Sequence, residues 1–259
     1  MTPFAKDKVD MAAYEAQVAR LLDTDIAGFV TNGTTAEFVN LSLEEQMEIS
    51  ELVAKMKPSG KKLIVSACTA NAADTVRLAR HAKKIGADAV LVCPPFYLKH
   101  PKCEREEYFR VVADNSPLPV VLYNIPFFTE ELELDVIYRL FEHKNIVGIK
   151  DSSANMKRLM HMVEKTEGTP ISVMTGTDDI LFPALVGGCV GSMTAFAATF
   201  PDEVCEIYAS VASGNLARAR EVQLGLIPRL RYADSKTFPR GYKETIEAAS
   251  GIRFGDKEV

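Results

Sequence analysis

Pro119-Val-Val-Leu-Tyr-Asn-Ile-Pro126 and Asn145-Ile-Val-Gly-Ile-Lys150-Asp-Ser-Ser153 decide the reading of this chain. Each is a short apolar run of the kind that forms a buried parallel strand, and the helical pattern Leu132–His143 lies between them. One run ends in a tyrosine and the other in a lysine followed by small hydroxyl residues. A strand, a helix and a second strand predict a right-handed βαβ unit in a parallel sheet.

Outward from this unit the alternation repeats. Strand candidates are Ile26–Thr31, Leu63–Ala67, Ala87–Cys93, Val120–Tyr123, Ile146–Lys150, Ile171–Thr175 and Val190–Thr194. Helix candidates between them are Met11–Leu22, Leu43–Lys57, Ala72–Ile85, Arg105–Asn115, Leu132–His143, Asn155–Lys165 and Asp179–Val186. In Ser42-Leu43-Glu44-Glu45 the serine and the glutamate occupy capping-box positions, and Gly86 after Lys83-Lys84-Ile85 suits a left-handed helix end. After Thr194 the pattern is helical only: Pro201–Ser213, Leu216–Leu230 and Gly241–Ala249, with a loop at Asp234–Pro239. The expected fold is therefore α/β, a (β/α)8 TIM barrel with C-terminal helices, whose first strand, due before Thr2-Pro3-Phe4, is short or missing. The expected organisation is a barrel over 1–200 and a helical extension over 201–259 packed on it.

Composition narrows the function. With 259 residues, 47% of them hydrophobic and 25% charged, and a net charge of −5, the chain is suited to a sizeable core and carries no basic field for nucleic acid. No apolar signal core opens it and no uncharged run approaches the roughly 20 residues of a membrane span, so a cytoplasmic location is expected. Five cysteines without a C-x-x-C pair read as reduced thiols, most of them core residues. Four scattered histidines (His81, His100, His143 and His161) show no ligand spacing, so no metal is expected.

In a parallel barrel the strand C-termini share one mouth, where Lys150, Tyr123, Thr175 and Thr194 should converge. A buried lysine amine beside a phenol is what imine chemistry on a keto acid requires, since burial disfavours the charged form of an amine. Lys150 reads equally as the ion-pair partner of Asp151, and Tyr123 as a core tyrosine. Ser152 is placed two residues on, either facing the substrate or, like Ser153, capping the next helix. Gly33-Thr34-Thr35 follows a strand and forms a carboxylate cradle, with a helix N-terminus behind it, or a plain loop and cap. Gly176-Thr177 and Gly187-Gly188 suggest tight backbone at the mouth. Barrels often bind phosphate there, but neither segment supplies a Lys or Arg anchor.

Taken together, Thr2-Pro3-Phe4, Gly33-Thr-Thr-Ala-Glu37, Pro94-Pro-Phe-Tyr97, Tyr123-Asn-Ile-Pro126, Gly148-Ile-Lys150-Asp and Gly176-Thr-Asp-Asp179 resemble the dihydrodipicolinate synthase and N-acetylneuraminate lyase superfamily of class I, pyruvate-dependent aldolases. The motifs run in order over nearly the whole chain. The resemblance implies that Lys150 forms a Schiff base with pyruvate or another 2-keto acid and that Tyr123 shuttles protons. Thr34 would link Tyr123 to Tyr97 in a hydroxyl relay, Tyr97 coming from a neighbouring subunit of a homo-oligomer, tetramer or dimer. Thr35, Gly33 and the backbone at Met193 would hold the carboxylate, with Ser152, Gly176 and Thr177 also lining the substrate. No cofactor is implied beyond the covalent imine.

Two departures bear on the second substrate. Where dihydrodipicolinate synthases carry an arginine that grips the carboxylate of aspartate semialdehyde, this chain has Phe128, and the glycine after Thr129 is Glu130. Ser152 matches a hydroxyl position of 2-keto-3-deoxygluconate aldolases. The expected activity is therefore aldol cleavage of a 2-keto-3-deoxy sugar acid to pyruvate and an aldehyde. Dihydrodipicolinate synthesis and N-acetylneuraminate cleavage are the alternatives inside the family. Outside it stand a non-catalytic keto-acid-binding barrel, which the short ends and the altered Phe128–Glu130 loop motivate, and a phosphate- or flavin-binding barrel.

Overall fold

The computed structural model of the chain describes residues 1–255, so the last four residues of the expected 201–259 extension lie outside the described residues. In chain order the elements are β1 (Phe4–Ala5), β2 (Lys8–Val9), α1 (Met11–Leu22), β3 (Gly28–Thr31), α2 (Leu43–Met56), β4 (Lys62–Ser66), α3 (Ala72–Lys84), β5 (Ala89–Val92), α4 (Lys102–Asn115) and β6 (Val120–Asn124). They continue as α5 (Leu134–Leu140), β7 (Ile146–Asp151), α6 (Met156–Thr166), β8 (Ser172–Thr175), α7 (Leu181–Val186), β9 (Gly191–Ser192), α8 (Phe196–Thr199), α9 (Pro201–Ala212), α10 (Leu216–Asp234) and α11 (Arg240–Ser250). Strands β3 to β9 form one seven-stranded sheet in sequence order, and from β4 onward every neighbouring pair is parallel. This is the expected α/β barrel class, with the seven expected strands each present, four of them shorter than expected and those at Lys62–Ser66, Val120–Asn124 and Ile146–Asp151 shifted or extended by one residue.

Just after the place where the first strand was expected, at Phe4–Val9, the chain forms a two-stranded antiparallel hairpin of β1 and β2. Its two turn residues, Lys6 and Asp7, both have positive φ (50° and 62°), the backbone that matches the right-handed twist of a tight hairpin. The short helix α8 was not anticipated. Four residues, of which only Phe196 and Thr199 are buried, carry too little periodicity to be read from sequence.

Local chemistry sets the helix ends. Ser42 and Glu45 exchange reciprocal bonds at the start of α2, Ser42 Oγ accepting from Glu45 N at 3.1 Å and Glu45 Oε2 from Ser42 N at 2.8 Å. Ser42→Ala should lower stability by about 1 kcal/mol in chemical denaturation, with the slope unchanged. No shift in midpoint would remove the box from the account of this helix. Gly86 closes α3 with φ 77°, and α6 is capped by Asn155, whose Oδ1 accepts from Arg158 N at 3.1 Å. Neither Ser152 nor Ser153 therefore serves as that cap.

Two compact units share the chain: residues 1–63 with the segment from Thr194 onward, and residues 64–193. In the first, Lys243 on α11 is fully buried, and its amine meets Glu37 Oε1 at 2.5 Å and donates to Gly255 O at 3.1 Å. Thr2 Oγ1 donates to Ala36 O at 2.6 Å, and Met1, Ile246 and Phe254 form a buried apolar cluster. In the second, strands β4 to β8 supply a core of branched residues, among them Val90, Leu91, Val120, Leu122 and Ile149. Gly148 in β7 admits the neighbouring strand, because a Cβ there would lie 2.4 Å from Ser172 O.

Candidate active site

The candidate site of the 64–193 unit starts from a fault in strand register. Val120 faces Ile146, but Val121 faces Gly148, so β7 carries one extra residue between these pairs. Past the irregularity Tyr123 aligns with Lys150 and Asn124 with Asp151. Without it Tyr123 would stand level with Ile149, and the lysine and the phenol would fall on opposite faces of the sheet. In the structure the Lys150 amine lies 4.2 Å from the centroid of the Tyr123 ring. Both side chains are nearly enclosed, at 8% and 3% exposure.

On its other side Lys150 aligns with Met174 and Asp151 with Thr175. Gly176, just beyond β8, completes the wall: a Cβ there would lie 2.0 Å from Ser152 Oγ and 2.6 Å from Lys150 Cε. Ser152 Oγ is buried and has no hydrogen-bond partner within the protein. Gly176→Ala should displace both side chains and lower turnover on the order of 100-fold, the cost of a displacement of about 1 Å near the chemistry. Thermal stability should fall much less, and an unchanged rate would show that this wall is not part of the site.

Asp151 is not the partner of Lys150. Its carboxylate accepts from Arg158 Nε at 3.0 Å, from Asn124 Nδ2 at 2.8 Å and from Ser153 N at 2.9 Å, while its carbonyl accepts from Gly176 N at 2.7 Å. Arg158 also donates to Leu132 O, and Asn124 Oδ1 accepts from Leu132 N at 3.0 Å. The network thus ties the loop bearing Phe127 and Phe128 to the strand ends that carry Lys150 and Tyr123. Among the described residues no carboxylate lies within ion-pair distance of the lysine amine. Sequence reasoning missed Arg158 and Asn124 as members of the site. The one signal was an arginine on the apolar face of α6, alongside Leu159, Met162 and Thr166.

The other expected residues are placed as follows. Thr177 is held internally, its Oγ1 3.1 Å from Thr175 Oγ1 and its N donating to that same atom at 3.2 Å. Met193 N donates to Thr175 O at 3.0 Å, which fixes the backbone after β9. Tyr97 follows β5 with φ 76° and is 95% exposed, so its ring does not join Lys150 and Tyr123 within this copy. Gly33, Thr34 and Thr35 belong to the other unit. There the helix N-terminus expected behind Gly33 is that of a 3-10 turn, Thr34–Ala36, followed by a second one, Phe38–Asn40. Phe128 is 54% exposed, and Glu130 is held by His100 N at 2.7 Å and by Arg105. Among the described residues no group of three or more His, Cys, Asp or Glu is placed to hold a metal ion, and no helix is long and apolar enough to cross a membrane.

Comparison with known proteins places this geometry. The family model described as the Dihydrodipicolinate synthetase family matches residues 1–253. A 4-hydroxy-tetrahydrodipicolinate synthase from Methanothrix thermoacetophila is 34% identical over 92% of this chain and 81% of its own length. The crystal structure of dihydrodipicolinate synthase from Aquifex aeolicus superposes with a TM-score of 0.91 at 29% identity, covering 100% of this chain and 88% of that one. A prophage protein of the dihydrodipicolinic acid synthase family from E. coli, crystallised in complex with pyruvate, superposes with a TM-score of 0.89 at 28% identity, covering 95% and 84%.

Proposed function

The chain belongs to the dihydrodipicolinate synthetase family, a family of Schiff-base lyases and aldolases, and on that premise we propose that Lys150 forms an imine with pyruvate at which a carbon–carbon bond is made or broken. The observation that carries the proposal is the enclosed Lys150 amine over the Tyr123 ring, bounded by the unpartnered Ser152 hydroxyl and by Gly176. The amine adds to the keto carbon, and the carbinolamine loses water to give a protonated imine. That cation draws electrons from the neighbouring methyl carbon, which loses a proton to become an enamine, with Tyr123 moving protons. The enamine attacks an aldehyde carbonyl, and water then hydrolyses the new imine and frees Lys150. The imine is itself the electron sink, so the reading calls for no further cofactor. On the family pattern Thr34 and Thr35 serve the proton relay and the pyruvate carboxylate.

For the second substrate, the names of the relatives favour condensation of pyruvate with aspartate semialdehyde over the sugar-acid cleavage expected from sequence. The cleavage of a 2-keto-3-deoxy sugar acid stays as a second reading for one reason: Phe128 presents an apolar ring where a carboxylate clamp would need a cation. Borohydride reduction in the presence of pyruvate, followed by peptide mass mapping and then by turnover with each aldehyde, tests both levels. A reduced adduct on Lys150 with consumption of aspartate semialdehyde supports the first reading, and an adduct with activity only on sugar-derived aldehydes supports the second. A folded protein that takes no adduct would sink the imine and return the chain to the keto-acid-binding class.

Tyr97, on this proposal, acts in the site of a neighbouring copy. Tyr97→Phe should lose rate by about 10²-fold or more, the usual contribution of a proton-transfer group, while its assembly state by light scattering stays that of the wild type. Full activity in that variant would take Tyr97 out of the relay.

A further inference from the structure

Cys68 and Cys93 lie just beyond the C-terminal ends of β4 and β5. These strands pair in parallel with Ser66 level with Leu91, and the same register carried two residues further sets Cys68 opposite Cys93. Neighbouring strands lie about 4.8 Å apart, inside the roughly 4.4–6.8 Å range of Cα separations that a disulfide spans. The contacts agree with that register. The backbone N–H of Cys93 donates to Cys68 Sγ at 3.2 Å, and Ser66 Oγ donates to the same sulfur at 3.3 Å. Both thiols are almost wholly buried, and neither has a place in the imine chemistry.

We propose that Cys68 and Cys93 form a dithiol modification site, oxidised to an intramolecular disulfide by small hydroperoxides and restored by dithiols. Cys68 is the attacking sulfur. Burial disfavours its charge, but hydrogen bonds from Cys93 and Ser66, the Cys93 backbone N–H and the charge of Lys150 together hold its thiol below the ordinary value. Burial and the neighbouring Cys68 sulfur push the Cys93 thiol well up, which suits it to the second step.

In the first step the Cys68 thiolate attacks one peroxide oxygen, the O–O bond breaks, and the departing alkoxide or hydroxide takes a proton. Cys68 is left as a sulfenic acid. In the second step Cys93 sulfur attacks the Cys68 sulfur, the S–S bond forms, and hydroxide leaves with the Cys93 proton as water. The two sulfurs together lose the two electrons that reduce one peroxide. Their burial restricts the oxidant to molecules as small as hydrogen peroxide or a short alkyl hydroperoxide.

The test needs no turnover, so it stands apart from the imine reading. The reduced, full-length protein is treated with hydrogen peroxide, blocked with an alkylating reagent, and mapped by non-reducing peptide mass spectrometry. The expected product is a linked Cys68–Cys93 peptide that dithiothreitol reverses. In Cys93→Ser the reaction should stop at a Cys68 sulfenic acid that dimedone captures, and in Lys150→Met the linkage should form several-fold more slowly. Exposed Cys103 serves as the internal control for general oxidation. Oxidation of Cys103 with Cys68 and Cys93 still free thiols would overturn the proposal. An unchanged rate in Lys150→Met would remove the lysine from it.

Discussion

Lys150→Ala should abolish the borohydride-trapped pyruvate adduct and lower turnover by at least about 10⁴-fold, while the protein stays folded. The size follows from the proposed role: a covalent nucleophile acts as a unit with its neighbours, and its removal costs nearly all of the chemical acceleration. Retention of the fold follows from the surroundings. Lys150 is 8% exposed, and among the described residues no carboxylate pairs with its amine, so the substitution breaks no buried ion pair. The measurements are intact mass after reduction and far-UV circular dichroism on the same sample. An adduct that persists in the variant would move the nucleophile to another amine.

Arg158→Met should cost stability on the order of 3–5 kcal/mol, because it leaves the fully enclosed Asp151 carboxylate without its cation. That is a large share of the roughly 5–15 kcal/mol by which domains of this kind are stable. Adding Asp151→Asn should recover part of the loss, since an amide at this position carries no charge and its one oxygen still accepts from either Asn124 Nδ2 or Ser153 N, though not from both. Urea midpoints of the two single variants and of the double variant check this. Equal destabilisation of Arg158→Met and the double variant would show that packing of the arginine stem, not its charge, is what α6 contributes. Because Asp151 adjoins Lys150 and its carbonyl holds Gly176 N, the surviving fraction of Arg158→Met should also show a raised KM for the aldehyde.

How much of this was legible in the sequence depended on the range of the interaction concerned. The strand and helix alternation, the Ser42–Glu45 box and the Gly86 helix end are local, and each appears where the pattern predicts it. The hairpin at Phe4–Val9 and the short helix α8 were missed because they are too brief to show a period. Lys150 and Tyr123 were singled out correctly as residues that share one place, but the reading of Lys150 as a partner of Asp151 was open until the tertiary contacts closed it.

The sequence by itself determined the fold class, the helix ends at Ser42 and Gly86 and the identity of the candidate nucleophile, because hydrophobic period, capping and strand-end position are set by residues close along the chain. Only the tertiary structure decided that an extra residue in β7 sets Tyr123 level with Lys150, that Arg158 and not Lys150 holds Asp151, and that Cys68 stands against Cys93. Register and burial belong to pairs of segments about 25 residues or more apart in the 64–193 unit. A one-residue slip there changes which face a side chain serves without leaving any mark on local composition.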